Sequence, residues 1–175
     1  MPGHVILSHG SDTGPDATKV SMLAQVAEAM GWSTERPDYR QDDALGHAGS
    51  VAPRIARLHE RIAASSTPPV LVGSSMGAFV SGLASLEQPV AGLFLLATPS
   101  LIPDSDFAFD LREDVPTLLI HGWQDEVCPL DEIYEFARRR YLPLLVLDDD
   151  HRLSGHVDEL GRQFGFFLEQ LAKRA

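Results

Sequence analysis

The chain has 175 residues and 44% apolar content, enough for one domain that buries a core without a disulfide or structural metal. Its formal net charge of −11 opposes approach to phosphate backbones and anionic lipid, so neither nucleic acid nor a membrane surface is an expected partner. One cysteine, Cys128, has no intramolecular partner, and the N-terminal residues lack a basic leader; a cytoplasmic protein is the expectation.

In chain order, residues 5–8 read as a short apolar strand, followed by a glycine-bounded loop over 10–14. Pro15 suits a first helical position and Asp16 a first turn. Val20, Leu23, Val26, Ala27 and Met30 then recur at helical spacing over 17–30, and Gly31 stops that run. Residues 32–39 predict a second, more polar strand. Residues 51–64 predict a helix with Ile55, Leu58 and Ile62 inward and its arginines outward. The run PVLVG at 69–73 is β-rich, and a small-residue helix follows over 76–86. Residues 90–97 and 117–121 are apolar strands, 130–140 a helix, 144–147 the last strand and 157–172 the closing helix. Strands that are apolar throughout are buried on both faces. The alternation with helices predicts an α/β fold with a mostly parallel sheet of about six strands and helices on both faces. The long irregular stretch 98–116 is the one place for a lid.

The chemical signal is Gly73-Ser74-Ser75-Met76-Gly77, a G-x-S-x-G pentapeptide. Chance supplies that pattern in roughly one chain of this size in twenty, so its setting carries the weight. It follows a strand and opens a helix. A nucleophilic serine needs that sharp turn to project its hydroxyl, and flanking glycines relieve the crowding. The hydroxyl also needs a base. Of seven histidines, His151 lies just past the last strand, at the sheet edge where ligands bind. His9 and His121 end strands and are expected near the site edge; His59 reads as surface on a helix and His47 as part of a polar loop. Asp125, after the strand 117–121, is the expected orienting carboxylate. Glu126 is the runner-up, and Asp149 or Asp150 would serve only if their turn folded back. Backbone N–H groups of Met76 and Ser11 are the expected oxyanion donors; Asp12 would cap the first helix or touch substrate.

With these segments placed, the chain resembles the α/β-hydrolase superfamily, closest to its small dienelactone-hydrolase-like and minimal carboxylesterase or thioesterase members. The order Ser75, Asp125, His151 matches the family order of nucleophile, acid and histidine. His9-Gly10 and the run HGWQDEVCP match its early loop and acid-bearing loop. The family's first two strands are missing, and no cap domain follows residue 97. The dienelactone hydrolases' own cysteine nucleophile is replaced by Ser75. The resemblance implies a serine hydrolase acting on a small-molecule ester or thioester, with no cofactor and no metal. A shallow cleft for short acyl groups is expected, with Leu101, Ile102, Phe107 and Phe109 either as its walls or as cover for the core. The same triad would serve an amide, and the scaffold could also carry a non-catalytic binding protein. Oligomeric state is not legible.

Overall fold

Apolar runs become most of the strands and amphipathic runs most of the helices, and the two types largely alternate. A computed structural model describes residues 1–174. In chain order it contains β1 (His4–Ser8), α1 (Thr18–Ala29), β2 (Ser33–Glu35), α2 (Arg40–Asp43), α3 (Gly46–Ala64), β3 (Val70–Ser74) and α4 (Met76–Glu87). Then come β4 (Gly92–Leu96), β5 (Thr117–Gly122), α5 (Leu130–Arg140), β6 (Leu144–Leu147), a 3-10 turn (Ser154–His156) and α6 (Val157–Ala172). The six strands form one sheet in the order β2-β1-β3-β4-β5-β6, and every pairing is parallel.

Strand alternation divides the apolar side chains between two cores. Val5, Leu7, Val72, Phe94 and Leu96 face α1 and α6. Ile6, Leu71, Leu93 and Leu95 face α3, α4 and α5. Aromatic contact closes the first core, with the Phe94 ring centroid 4.8 Å from that of Phe164. Burial on both faces is why these strands are apolar throughout.

The chain leaves β1 toward β2 on one side, then returns to build β3 to β6 on the other. The carboxyl ends of β1 and β3 are thus the point where the strand order reverses, the position at which a parallel sheet offers a ligand crevice. Ser75 and residues 9–11 both lie there.

Several boundaries differ from expectation. The first helix begins at Thr18. Pro15 and Asp16 instead occupy the preceding turn, closed by Ala17 N–H to Gly14 O at 3.0 Å. The strand expected over 32–39 shrinks to Ser33–Glu35, because Trp32 and Tyr39 turn inward. The third helix starts at Gly46, five residues earlier than expected, with Pro53 in its interior. This Pro forfeits one backbone bond, and packing of Val51 and Leu58 into the core outweighs that loss. His47 therefore lies on a helix rather than in a loop. Finally, the arginines of this helix do not all face outward: Arg54 is fully buried.

Candidate active site

The turn between β3 and α4 is made by one residue. Ser75 has φ 55° and ψ −117°, a conformation that costs on the order of 1–3 kcal/mol for a side-chain-bearing residue. Its N–H donates to Leu96 O at 2.9 Å, tying the turn to β4. The glycines permit close approach. A Cβ on Gly73 would lie 2.3 Å from the Gly77 carbonyl oxygen, and one on Gly77 would lie 2.0 Å from Ser8 O. Larger residues at either position would push Ser75 out of place.

Three side chains from three loops converge. The Ser75 hydroxyl lies 3.0 Å from His151 Nε2. His151 Nδ1 lies 2.8 Å from Asp125 Oδ2. With the Nδ1 proton donated to the carboxylate, Nε2 is free to accept the serine proton. Asp125 is saturated with donors. Its Oδ1 accepts from the N–H groups of Val127 at 2.9 Å and Cys128 at 2.7 Å. Its Oδ2 also lies 3.2 Å from Nε2 of His121, a fully buried histidine. Burial by itself would raise the Asp125 pKa. The nearby His121 imidazole and hydrogen bonds from His151 and the Cys128 N–H outweigh it and hold the carboxyl well below the usual range. The carboxylate thus stays ionised beside the His151 imidazole.

The loop carrying His151 has its own brace. Asp149 does not reach His151. It accepts from His156 Nδ1 at 2.8 Å, from Gly155 N–H at 3.0 Å and from Asp150 N–H at 2.8 Å. On the other side, Lys19 donates to Arg152 O at 2.6 Å, and burial lowers its pKa. Glu126 is exposed and is not a partner of His151.

The loop after β1 is held from below. Arg54 donates to His9 O at 2.7 Å and to Gly10 O at 3.1 Å, while its other edge grips Asp43 at 2.7 Å through both Nε and Nη2. Its guanidinium also lies 4.5 Å from the Tyr39 ring centroid. His9 is buried rather than lining the crevice. Its Nδ1 donates to Gly10 O at 2.7 Å and its Nε2 accepts from Tyr39 N–H at 3.0 Å. Burial lowers its pKa, and an Nε2 that accepts a hydrogen bond carries no proton. These contacts turn the His9 and Gly10 carbonyls toward Arg54; Ser11 follows them directly in the chain, and Met76 is the first residue of α4. Asp12 is exposed and makes no cap on α1.

Of the four residues expected as walls or core cover, Ile102 and Phe109 belong to the core. Phe109 stacks against Phe79 and Phe136, so those two are core rather than wall. Leu101 and Phe107 are exposed, at 56% and 38%. The 98–116 segment holds one isolated bridge, between Leu101 and Ala108, and a Ser100–Glu132 hydrogen bond to α5.

Donor atoms of Asp125, Cys128 and His151 lie within 4.8 Å of one another, the one such trio among the described residues. A cation there would have to separate the Asp125–His151 pair, and burial pushes the Cys128 thiol up to about 12. Sequence reasoning missed Arg54, the second histidine on Asp125 and the Asp149–His156 brace. An arginine at helical spacing among polar residues gives no sign that it is buried.

No family model and no curated protein matches the sequence. Solved structures do. A protein from Xanthomonas campestris pv. campestris assigned to the hydrolases of the alpha/beta superfamily shares 41% identity, covers 96% of this chain and 99% of its own, and superposes with a TM-score of 0.91. An alpha/beta serine hydrolase without lid from Xanthomonas campestris aligns at 20% identity over 97% of this chain and 82% of its own, TM-score 0.76. A Pyrococcus furiosus esterase aligns at 16% identity over 97% and 82%, also with a TM-score of 0.76. The latter two share the fold. With the first, likeness extends over the whole length at an identity well above that of fold alone, and the chain belongs to the α/β superfamily of hydrolases.

Proposed function

We propose that the protein is a serine hydrolase that cleaves a small carboxylic ester or thioester through an acyl-enzyme. The observation that carries this reading is the continuous chain from Ser75 through His151 to Asp125, at 3.0 and 2.8 Å. In the first step the Ser75 oxygen attacks the carbonyl carbon as His151 Nε2 takes its proton. Asp125 holds the imidazole in the required tautomer and stabilises its cation. The Ser11 and Met76 N–H groups receive the oxyanion, aided by the positive end of α4. His151 then returns the proton to the departing alcohol or thiol. Water, deprotonated by the same nitrogen, attacks the acyl-serine and releases the acid.

The esterase named among the structural neighbours supports ester chemistry. Leu101 and Phe107, exposed on the 98–116 segment, fit a short apolar wall and hence small acyl groups. The test is treatment with a fluorophosphonate probe at neutral pH, with the labelled residue mapped by mass spectrometry. Labelling at Ser75 is expected, lost in Ser75→Ala and strongly slowed in His151→Ala. Turnover of an acetyl nitrophenyl ester should fall by about four or more orders of magnitude in Ser75→Ala. A folded protein that takes no label would instead be a binding protein on this scaffold.

A further inference from the structure

The sheet ends at β6, and its outer edge is bare among the described residues. Leu119 N–H donates to Pro143 O at 3.1 Å and Trp123 N–H to Leu147 O at 2.9 Å. The odd-numbered residues of β6 therefore turn their backbone groups toward β5, and Leu144 and Val146 turn theirs outward. Such an edge is a template for another strand unless charge, proline or a bulge blocks it. Nothing of that kind stands at the outward positions: 144–147 reads LLVL, and all four residues are only partly buried.

Apolar surface continues to both sides. A recess of about 450 Å³ borders Leu118, Leu142, Pro143 and Phe166. Another of about 580 Å³ borders Trp123, Tyr134, Leu142, Leu144 and Val146. Leu142 belongs to both, so the two flank the same strand. Tyr141, Trp123, Phe166 and Tyr134 are 95%, 63%, 61% and 50% exposed. A patch of this kind around an open strand marks an interaction surface.

Charge indicates the occupant. Arg138 and Arg139 lie exposed in the last turn of α5, the helix that leads into β6, and Asp148 and Asp150 lie exposed just after the strand. An uncharged strand between a cationic helix end and an anionic loop is complementary to itself when reversed. We propose that β6 pairs antiparallel with β6 of a second copy of this chain, joining two six-stranded sheets into one. With the two-fold axis beside Leu145, Leu144 exchanges both hydrogen bonds with Val146 of the second copy, and the arginines of each copy approach the aspartates of the other. Trp123 and Tyr134 are then covered across the seam. Trp123 lies two residues from Asp125, so the seam abuts the acid-bearing loop without entering the crevice.

The test is sedimentation velocity over a hundredfold range of protein concentration. Salt is held at about 0.15 M, where a screening length of about 8 Å removes long-range repulsion between two acidic chains but preserves close pairs. A species of twice the 19.1 kDa chain mass is expected. Val146→Pro removes an outward N–H and no bond to β5; with unchanged circular dichroism it should sediment as a monomer. Arg138→Glu with Arg139→Glu should also shift the equilibrium at least tenfold toward monomer, and adding Asp148→Arg should restore the dimer. A single 19.1 kDa species throughout would overturn the proposal. So would a dimer indifferent to Val146→Pro and to the charge reversals, since pairing would then lie elsewhere. The readout needs no substrate, so its outcome is separate from that of the hydrolase reading.

Discussion

At the scale of single residues, the site is built from positions where almost no other side chain fits. Gly77 is one. A methyl group there would overlap the Ser8 carbonyl at 2.0 Å, and backbone cannot swing aside as a flexible side chain can. Gly77→Ala should therefore cost about 1–3 kcal/mol in overpacking, read as a lower urea midpoint. It should also slow probe labelling of Ser75 well beyond what the stability loss explains, because α4 and Ser75 move together. Unchanged labelling would mean that the elbow tolerates displacement. Asp125 shows the complementary logic. It is one carboxylate that accepts from two N–H groups and from His151, with His121 Nε2 3.2 Å away, and the sequence displayed only its place after a strand. Its neighbour Glu126 had the same position to within one residue. Only the direction in which the turn pointed each carboxyl separated them.

At the scale of elements, the loop after β1 depends on α3. Arg54 is buried on that helix, paired with Asp43 just before it and bonded to two carbonyls of the loop. Removing one partner of a buried ion pair costs about 3–5 kcal/mol, because the other charge is stranded. Arg54→Met should lose stability on that scale. Our reading of Ser11 as an oxyanion donor adds a kinetic expectation. Ester kcat should fall about tenfold or more with KM little changed, since the lost interaction is made only in the transition state. A stable, fully active Arg54→Met would remove the link between helix and loop. The sequence could not have announced this. Helical periodicity places a residue on a face, but whether that face meets solvent or a loop from elsewhere depends on chain crossings. The same limit explains why α3 starts early and why residues 32–39 did not form one strand.

At the scale of the whole molecule, folding couples the site to pH. The folded pKa of Asp125 is depressed. Its contribution to stability is therefore complete above the unfolded value of about 3.9 and fades as pH falls below that toward the folded value. Asp125→Asn should be less stable than the parent at pH 6 and show a shallower loss of urea midpoint between about pH 4 and pH 2. Parallel acid profiles for the two proteins would contradict that assignment. The sequence by itself determined the five apolar strands and their interleaving with helices, the glycine-flanked serine at a strand-to-helix turn, and the chain order of serine, aspartate and histidine. Those features are local: hydrophobic period, turn chemistry and position along the chain fix them. The tertiary structure alone decided which histidines reached Asp125, that Asp149 braced His156, that Arg54 was buried beneath the β1 loop, and that β6 was left as an open edge. Each of these depends on which distant segments meet, and no short-range pattern encodes that meeting.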